Sequence, residues 1–337
     1  MAEEAAYRRE RLDRGIKARS DTIFAISSHR EILYLLLPRV LPVLALLIAP
    51  LALGTGYWGR VLFHACIYAL LALSWDFLAS TGLVSLGQAL FFGIGSYIAG
   101  ALNFYLGWPP FLTIPIATLG GGIISAALLA PVVRLRGVYF AMVTLALPLL
   151  LARVIETTEI LGGTHGLTSI ASFPNDWVAM YLAVLALLIC LFGFRRLINE
   201  DYGLVLGGIR DDDRAVMSAG INIYWYKVQA VFISGMVGAF AGAIVAHYWK
   251  FVGMSVFALD YSIVPLAGAI LGGPGTFAGA VVGTFILVPL SELLRLAGGL
   301  RVAIYSLILA ACVVGLPEGV FHYIQRKYHQ FERLVKV

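Results

Sequence analysis

The sequence predicts an all-α, polytopic membrane protein with about ten transmembrane helices. Of its 337 residues, 60% are hydrophobic and only 13% are charged, and the mean hydropathy is +0.89. Soluble globular domains do not carry that balance. The apolar residues form successive runs of about twenty, the length that crosses a bilayer as a helix. Glycine-rich stretches inside these runs predict broken helices and an internal repeat.

A charged N-terminal segment, residues 1–31, precedes the first apolar run. It has no early apolar core followed by a small-residue cleavage site, so it is not a cleaved secretory signal. Its excess of Arg and Lys predicts a cytoplasmic location. Its sequence is compatible with an amphipathic helix on the membrane surface and with a disordered tail.

The transmembrane domain is predicted to span residues 32–320. Pro38, Arg39 and Pro42 interrupt its first apolar run, which places residues 32–37 at the membrane interface. The predicted crossings are residues 40–57, 61–80, 88–106, 111–133, 138–155, 177–194, 228–249, 261–271, 276–294 and 301–316. The eighth is short for a full span, as in a broken or re-entrant helix.

Basic residues mark the side of the membrane on which each loop lies. Arg134 and Arg136 follow the fourth crossing, Arg195 and Arg196 follow the sixth, and the tail, residues 321–337, is basic. Such residues concentrate in cytoplasmic loops. Both termini are therefore predicted to be cytoplasmic, and the net charge of +5 reflects topology rather than nucleic-acid binding.

Two stretches, residues 81–100 and 266–283, carry small residues at every fourth position. These positions are Ser85, Ala89 and Gly93, then Ser96 and Gly100, in the first stretch, and Gly275, Gly279 and Gly283 in the second. Small residues at this spacing let membrane helices approach closely. Two such stretches in separate halves also favour discontinuous helices around a transport pathway. Ordinary tight helix packing explains the same pattern, and this alternative stays open.

A long polar segment, residues 195–227, separates the sixth and seventh crossings. Within it, residues 211–220 predict one short helix. Asp211 can accept from free backbone N–H groups at the N-terminus, and Gly220 supplies a left-handed stop. An isolated helix of about ten residues is marginal in water, so another element must hold it.

The remaining residues of this short helix favour contact with a second protein. Asp212 and Asp213 place negative charge at the positive end of the helix dipole. The residues of its small, smooth face are Ala215, Val216 and Ala219, with Met217 beside them. Such a face suits a groove on a partner, and a solvated connector between two spans is the alternative.

Motifs for catalysis and nucleotide binding are absent. The run GGPGTFAG lacks the lysine and hydroxyl of a phosphate-binding loop, so the chain does not hydrolyse ATP by that route. GxSxG, HExxH and paired carboxylates are also missing. Cys66, Cys190 and Cys312 lie apart in apolar segments, which implies neither a disulfide nor a metal site. Ionisable residues stand alone in or near the crossings: His64, Asp76, Glu156, His247, Asp260 and Glu292.

Five segments, in this order, carry a resemblance to a known family. They are ALLALSWDFLASTGLVSLGQALFFGIGSYIAG (69–100), RLRGVYFAMVTLA (134–146), GGTHGLTSI (162–170), IRDDDRAVMSAGINIYWYK (209–227) and LAGAILGGPGTFAGAVVG (266–283), the last followed by Glu292. Together they resemble the permease subunits of branched-chain amino acid ABC importers, the Liv permeases, and among these the LivM type. The resemblance covers roughly residues 60–320 and leaves out the first thirty.

The resemblance implies a multi-pass permease of the bacterial inner membrane. Its implied partners are a second Liv-type permease in a heterodimer, two cytoplasmic ATP-binding subunits and a periplasmic or lipid-anchored solute-binding protein. The chain itself would need no cofactor, because ATP is bound by the partner subunits. The short helix of residues 211–220 resembles the coupling helix that docks in the ATPase, and the family pattern is met by Asp213, Ala215 and Gly220.

The resemblance also implies a gate made by the glycine-rich segments. The residues expected to line the translocation pathway are Asp76, Ser85, Gln88, Gly93 and Thr144. The predicted function is import of branched-chain or related amino acids by alternating access, driven by the partner ATPases. A secondary transporter or channel that needs no ATPase is the main alternative. An intramembrane enzyme would require a nucleophile and a base, and neither His64 nor His247 has an evident partner in the sequence.

Overall fold

Each long apolar run folds into an α-helix, because a helix satisfies its backbone N–H and C=O groups where a bilayer offers no water. The computed structural model describes residues 29–297 and 319–334, with residues 300, 306, 307, 310, 311, 314 and 315 between them. The chain divides into two compact units, residues 1–48 and 49–337. The helices are α1 (His29–Leu53), α2 (Tyr57–Ala79), α3 (Gln88–Leu106), α4 (Pro110–Leu129), α5 (Val138–Thr158), α6 (Asp176–Asn199), α7 (Asp201–Asp211), α8 (Asp213–Ser218), α9 (Ile223–Trp249), α10 (Asp260–Gly272), α11 (Ala278–Leu293) and α12 (Val320–Leu334).

The fold is that of a polytopic helical membrane protein. In the part of the chain that the structure describes, seven helical segments are long and apolar enough to cross a membrane. They are Tyr57–Ala79, Gln88–Leu106, Pro110–Leu129, Val138–Thr158, Asp176–Asn199, Ile223–Trp249 and Met254–Gly272. The apolar helices Val40–Leu53 and Ala278–Leu293 are shorter. The predicted count of about ten is therefore not confirmed, and most of the predicted tenth crossing, residues 301–316, lies outside the described residues.

The first helix differs from its prediction. Pro38 and Pro42 were expected to interrupt the run, yet α1 is continuous from His29 to Leu53. Proline removes one backbone hydrogen bond and favours a kink, but membrane helices tolerate it. The predicted cytoplasmic segment of residues 1–31 lies almost wholly outside the described residues.

The body of the second unit forms around α2, the most buried of the seven candidate spans, whereas α5 is the least buried. Helix α9 packs along α3 and α4, and the pair α10 and α11 packs against α2. Glycine permits the closest approach: a Cβ at Gly95 would overlap the carbonyl of Ala239, and one at Gly242 would overlap the carbonyl of Phe92. The Ser96 hydroxyl donates to the Gly242 carbonyl at 2.9 Å. These contacts join α3 to α9.

Small residues at every fourth position were predicted to lie on helices that pack closely. This prediction is confirmed for positions within α11 and wrong for two positions that precede α3 and α11. Gly279 and Gly283 on α11 pack against the backbone of α10. Ser85 and Gly275, by contrast, lie in loops, because α3 begins at Gln88 and α11 begins at Ala278. The stretch of residues 266–283 is interrupted as predicted, whereas α3 is continuous.

Candidate functional site

The polar segment of residues 195–227 is mostly helical rather than an extended loop. Helix α6 continues to Asn199, α7 follows as Asp201–Asp211, α8 is Asp213–Ser218, and α9 already begins at Ile223. The chain thus presents two short helices between two long apolar ones. The shorter of them, α8, lies within the predicted coupling helix.

The N-terminus of α8 is capped by Asp212. Its carboxylate accepts from the backbone N–H of Arg214 at 2.9 Å and of Ala215 at 3.4 Å. The prediction of one helix capped by Asp211 is wrong, because Asp211 is the last residue of α7 and its side chain pairs with Arg210. Of the three successive aspartates, only the second has the extended backbone that a capping residue needs.

The C-terminus of α8 ends as predicted. Gly220 adopts a φ of +81°, and its N–H donates to the carbonyl of Met217 at 2.9 Å. Ala215 and Ala219 are exposed, as is Met217, whereas Val216 is half-buried beside Gly208 of α7. The predicted small face therefore lies open to a partner, apart from Val216.

Asp213 attaches α8 to the body of the protein. Its carboxylate lies 2.9 Å from the guanidinium of Arg136 and 3.8 Å from the ammonium of Lys227. The side chains of Asp213 and Lys227 are only 14% and 10% exposed. Arg136 precedes α5 and Lys227 lies on α9, so one carboxylate joins three elements. The sequence predicts Asp213 at the positive end of the helix dipole but does not indicate either of its basic partners.

A charged cavity of about 480 Å³ lies between residues 209–214 and the loop that follows α2. Its lining includes Asp213, Lys227 and Arg136, together with residues 81–83 and 209–212. The backbone of Gly82 packs closely on Arg210, since a Cβ on Gly82 would lie 3.3 Å from the Arg210 Cα. The C-terminal end of α7 therefore contacts the start of the glycine-rich stretch of residues 81–100.

Three predicted pathway residues, Ser85, Gln88 and Thr144, lie around the end of that loop. The Thr144 hydroxyl accepts from the backbone N–H of Leu86 at 3.0 Å, and the Ser85 hydroxyl accepts from that of Gly87 at 3.1 Å. Thr144 thereby ties the loop to α5. All three predicted side chains are fully buried within this single chain.

Gln88 is the first residue of α3 and lies in a buried polar cluster that was not predicted from the sequence. Its amide oxygen accepts from the Ser74 hydroxyl at 3.1 Å, while its Nε2 has no hydrogen-bond partner among the described residues. The Ser74 hydroxyl also lies 2.9 Å from the Ser234 carbonyl, so its single proton is shared between this carbonyl and the Gln88 amide oxygen. The Ser234 hydroxyl donates to the Ser74 carbonyl at 3.0 Å. An unpaired buried amide is costly, which marks Gln88 as a site needing explanation.

The other two predicted pathway residues make mainly structural contacts here. Asp76 is fully buried and accepts from the backbone N–H groups of Gly275 and Phe277, at 2.6 and 2.9 Å. Gly93 lies directly beneath the ring of Phe257. Asp76 therefore fastens the loop between α10 and α11.

A second missed network lies near the opposite end of α9. His247 is fully buried, and its Nδ1 donates to the carbonyl of Ala171 at 2.7 Å. Its Nε2 and the Thr113 hydroxyl are 2.6 Å apart. Asn103 accepts from the N–H of Ala171 at 2.8 Å. These contacts anchor the segment that precedes α6. No group of three His, Cys, Asp or Glu side chains in the described residues is placed to hold a metal ion.

A family model for the permease component of branched-chain amino acid transport systems matches residues 57–316. The chain belongs to this family. The match includes the polar segment of residues 195–227 and both glycine-rich stretches. This permease is thus a transmembrane subunit of an ABC importer, which sets aside the enzyme alternative.

Curated relatives agree with the family assignment. The permease is 29% identical over 285 residues to the high-affinity branched-chain amino acid transport system permease protein LivM of Escherichia coli, covering 75% of this chain and 67% of that relative. It is 27% identical over 228 residues to a probable LivM of Methanocaldococcus jannaschii, covering 61% and 66%. A probable LivH of the same organism is 23% identical over 223 residues, covering 62% and 70%. No solved structure matches the chain.

Proposed function

We propose that this permease imports branched-chain or related amino acids across the inner membrane by alternating access, driven by ATP hydrolysis in partner subunits. The substrate class follows that of its relatives, which are named as branched-chain amino acid transport permeases. The proposed partners are a second Liv-type permease, two cytoplasmic ATP-binding subunits and a solute-binding protein. In this arrangement the face that carries α7 and α8 is cytoplasmic, as are both termini.

The observation that carries the proposal is the attachment of α8. A helix of six residues is too short to be stable alone, because helix nucleation costs more than its few hydrogen bonds return. Asp212 caps it, Gly220 ends it, and Asp213 fixes it to α9 and to Arg136 in the segment just before α5. The result is an exposed element that keeps its shape and is joined to the membrane helices. A solvated connector would need none of these contacts.

The same contacts give a route from the ATPase to the pathway. Closure of the ATP-bound subunits would displace α8, and its ion pairs would pull on Arg136 and Lys227. The Arg210 backbone contact with Gly82 would carry the displacement into the loop before Gln88. The Thr144 hydrogen bond to Leu86 links that loop to α5. Because Arg136 lies just before α5, a pull on Arg136 would displace α5 as well.

The pathway residues that we propose are Asp76, Ser85, Gln88, Gly93 and Thr144. They are enclosed in this structure, so they would face the substrate only after the surrounding loops move. The unpaired Nε2 of Gln88 supports this role, because an amide N–H donor suits the carboxylate of an amino acid. In the enclosed state this donor has nothing to bind.

Reconstitution tests the proposal against the ATPase-independent alternative. The permease would be co-expressed with the ATP-binding, second permease and solute-binding proteins of the same transport system, and radiolabelled leucine uptake measured in proteoliposomes. We expect co-purification of the ATPase and uptake that requires ATP, the binding protein and this chain. Uptake that persists without the ATPase subunits would support a secondary transporter or channel instead.

A further inference from the structure

Two successive residues of α2 each hold one of two loops. We define the first loop as residues 80–87 and the second loop as residues 273–277. The indole N–H of Trp75 donates to the Ser85 carbonyl in the first loop at 2.8 Å. The next residue, Asp76, accepts from two backbone N–H groups in the second loop. One turn of α2 therefore fixes both loops.

The second loop has a conformation that depends on outside support. Gly273 and Gly275 have φ values of +108° and +85°, and Phe277, which bears a side chain, has a φ of +52°. Positive φ is disfavoured for residues other than glycine and persists only where the surroundings impose it. Both oxygens of Asp76 are used on this loop, and one of them holds Phe277 itself.

The Trp75 ring also reaches the helices on either side of the second loop. It belongs to a buried cluster with Ala72 of its own helix, Ala269 of α10 and Ala280 of α11. A shift of the ring that releases Ser85 would therefore disturb the ends of the second loop. A shift of the second loop would likewise disturb the packing that orients the indole N–H.

We propose that Trp75 and Asp76 are positioning residues that form a double latch, so that the first and second loops open together as one gate. This inference rests on the proposed transport function, since a gate has meaning only in a transporter. The first loop ends at Gln88, whose Nε2 has no partner while the loop is held. Release of the first loop would free the residues that precede this amide.

Cysteine labelling measures loop release without requiring transport. In a full-length chain with C66A, C190A and C312A, a single cysteine would be placed at the buried Leu83 of the first loop or at the half-buried Thr276 of the second. N-ethylmaleimide labelling rates in membranes would be compared with and without D76N or W75F. Asn offers one acceptor oxygen for two N–H groups, and Phe keeps the ring but loses the donor.

Concerted opening predicts that each variant raises labelling at both positions by about tenfold, the effect of losing one hydrogen bond to a charged or buried group. F63L is the matched control, because Phe63 is a buried aromatic of α2 that stacks on Tyr248 instead. The double latch is contradicted if D76N affects only Thr276→Cys and W75F only Leu83→Cys, if neither changes, or if F63L has the same effect. Since no ATP is involved, these outcomes are independent of whether amino acids are the substrate.

Discussion

The carboxylate of Asp213 lies 2.9 Å from the guanidinium of Arg136, across the boundary between α8 and the start of α5. The ammonium of Lys227, on α9, approaches the same carboxylate oxygen at 3.8 Å. Asp213 is thus the point at which a short exposed helix is attached to two long apolar ones. Its removal should free α8 without altering the membrane helices.

Replacement of Asp213 by Asn should uncouple ATP hydrolysis from uptake. The variant leaves the buried Lys227 without its carboxylate, and a hydrogen bond or ion pair to such a group contributes about 2 kcal/mol. We expect the amount of leucine transported per ATP to fall about tenfold. Hydrolysis and uptake would be measured in the same proteoliposomes.

Two variants control for charge alone. D211N removes a neighbouring exposed carboxylate that pairs with Arg210, and it should leave the transport ratio unchanged. The variant D213E keeps a carboxylate beside both Arg136 and Lys227 and should retain most of the coupling. Equal losses in D211N and D213N would argue for a general surface-charge effect.

Replacement of Gly220 by Val should also lower coupling, for a backbone reason. No atom lies within 4 Å of a Cβ at this position, so the φ of +81° is the source of the strain. A β-branched residue there costs about 1–2 kcal/mol, whereas Asn tolerates the left-handed region. Uptake per ATP should fall in G220V and stay near normal in G220N, and normal coupling in G220V would count against the cap.

Close packing of α3 on α9 predicts that alanine is not tolerated at Gly95 or Gly242. Each added methyl would overlap a backbone carbonyl of the facing helix, which cannot move as a side-chain tip can. We expect a loss of about 3 kcal/mol in stability, measured as a lower melting temperature of the detergent-solubilised protein. Gly193 of α6 has open space around it, so G193A should be neutral or stabilising.

The hydroxyl of Tyr202 on α7 is buried without a hydrogen-bond partner among the described residues. Burial and, secondarily, Tyr226 raise the pKa of its phenol to about 12, so it stays protonated in any transport assay. Because an unpaired buried hydroxyl is unfavourable, Y202F should leave stability unchanged or raise it by about 1 kcal/mol. A clear drop in melting temperature would indicate a partner that this chain alone does not contain.

Hydrophobic run length was enough to predict where most helices lie. The predicted third crossing, residues 88–106, coincides with the observed Gln88–Leu106, and the fifth differs by three residues at its end. The polar segment was harder, because α7 carries few apolar residues and three adjacent aspartates can all cap a helix. Only the backbone shows that Asp211 completes α7 while Asp212 begins α8.

The contacts of the candidate site could not be predicted from local sequence patterns. Ser74 and Ser234 are 160 residues apart, and Asp76 is about 200 residues from the loop it holds. Nothing in one sequence pairs such positions. The polarity of Gln88 and the lone carboxylate of Asp76 did indicate that these residues matter. Their partners follow only from the packing of α10 and α11 on α2.

The most direct test of the account is photo-crosslinking from α8 to the ATPase in the assembled transporter. A benzophenone amino acid would replace Met217, which is 45% exposed on α8, and Ile189, which is 70% exposed on the apolar α6, would serve as the control position. We predict an adduct with the ATP-binding subunit from position 217 and none from position 189. A transport-competent complex with no ATPase adduct at position 217 would contradict the role of α8 as the coupling helix.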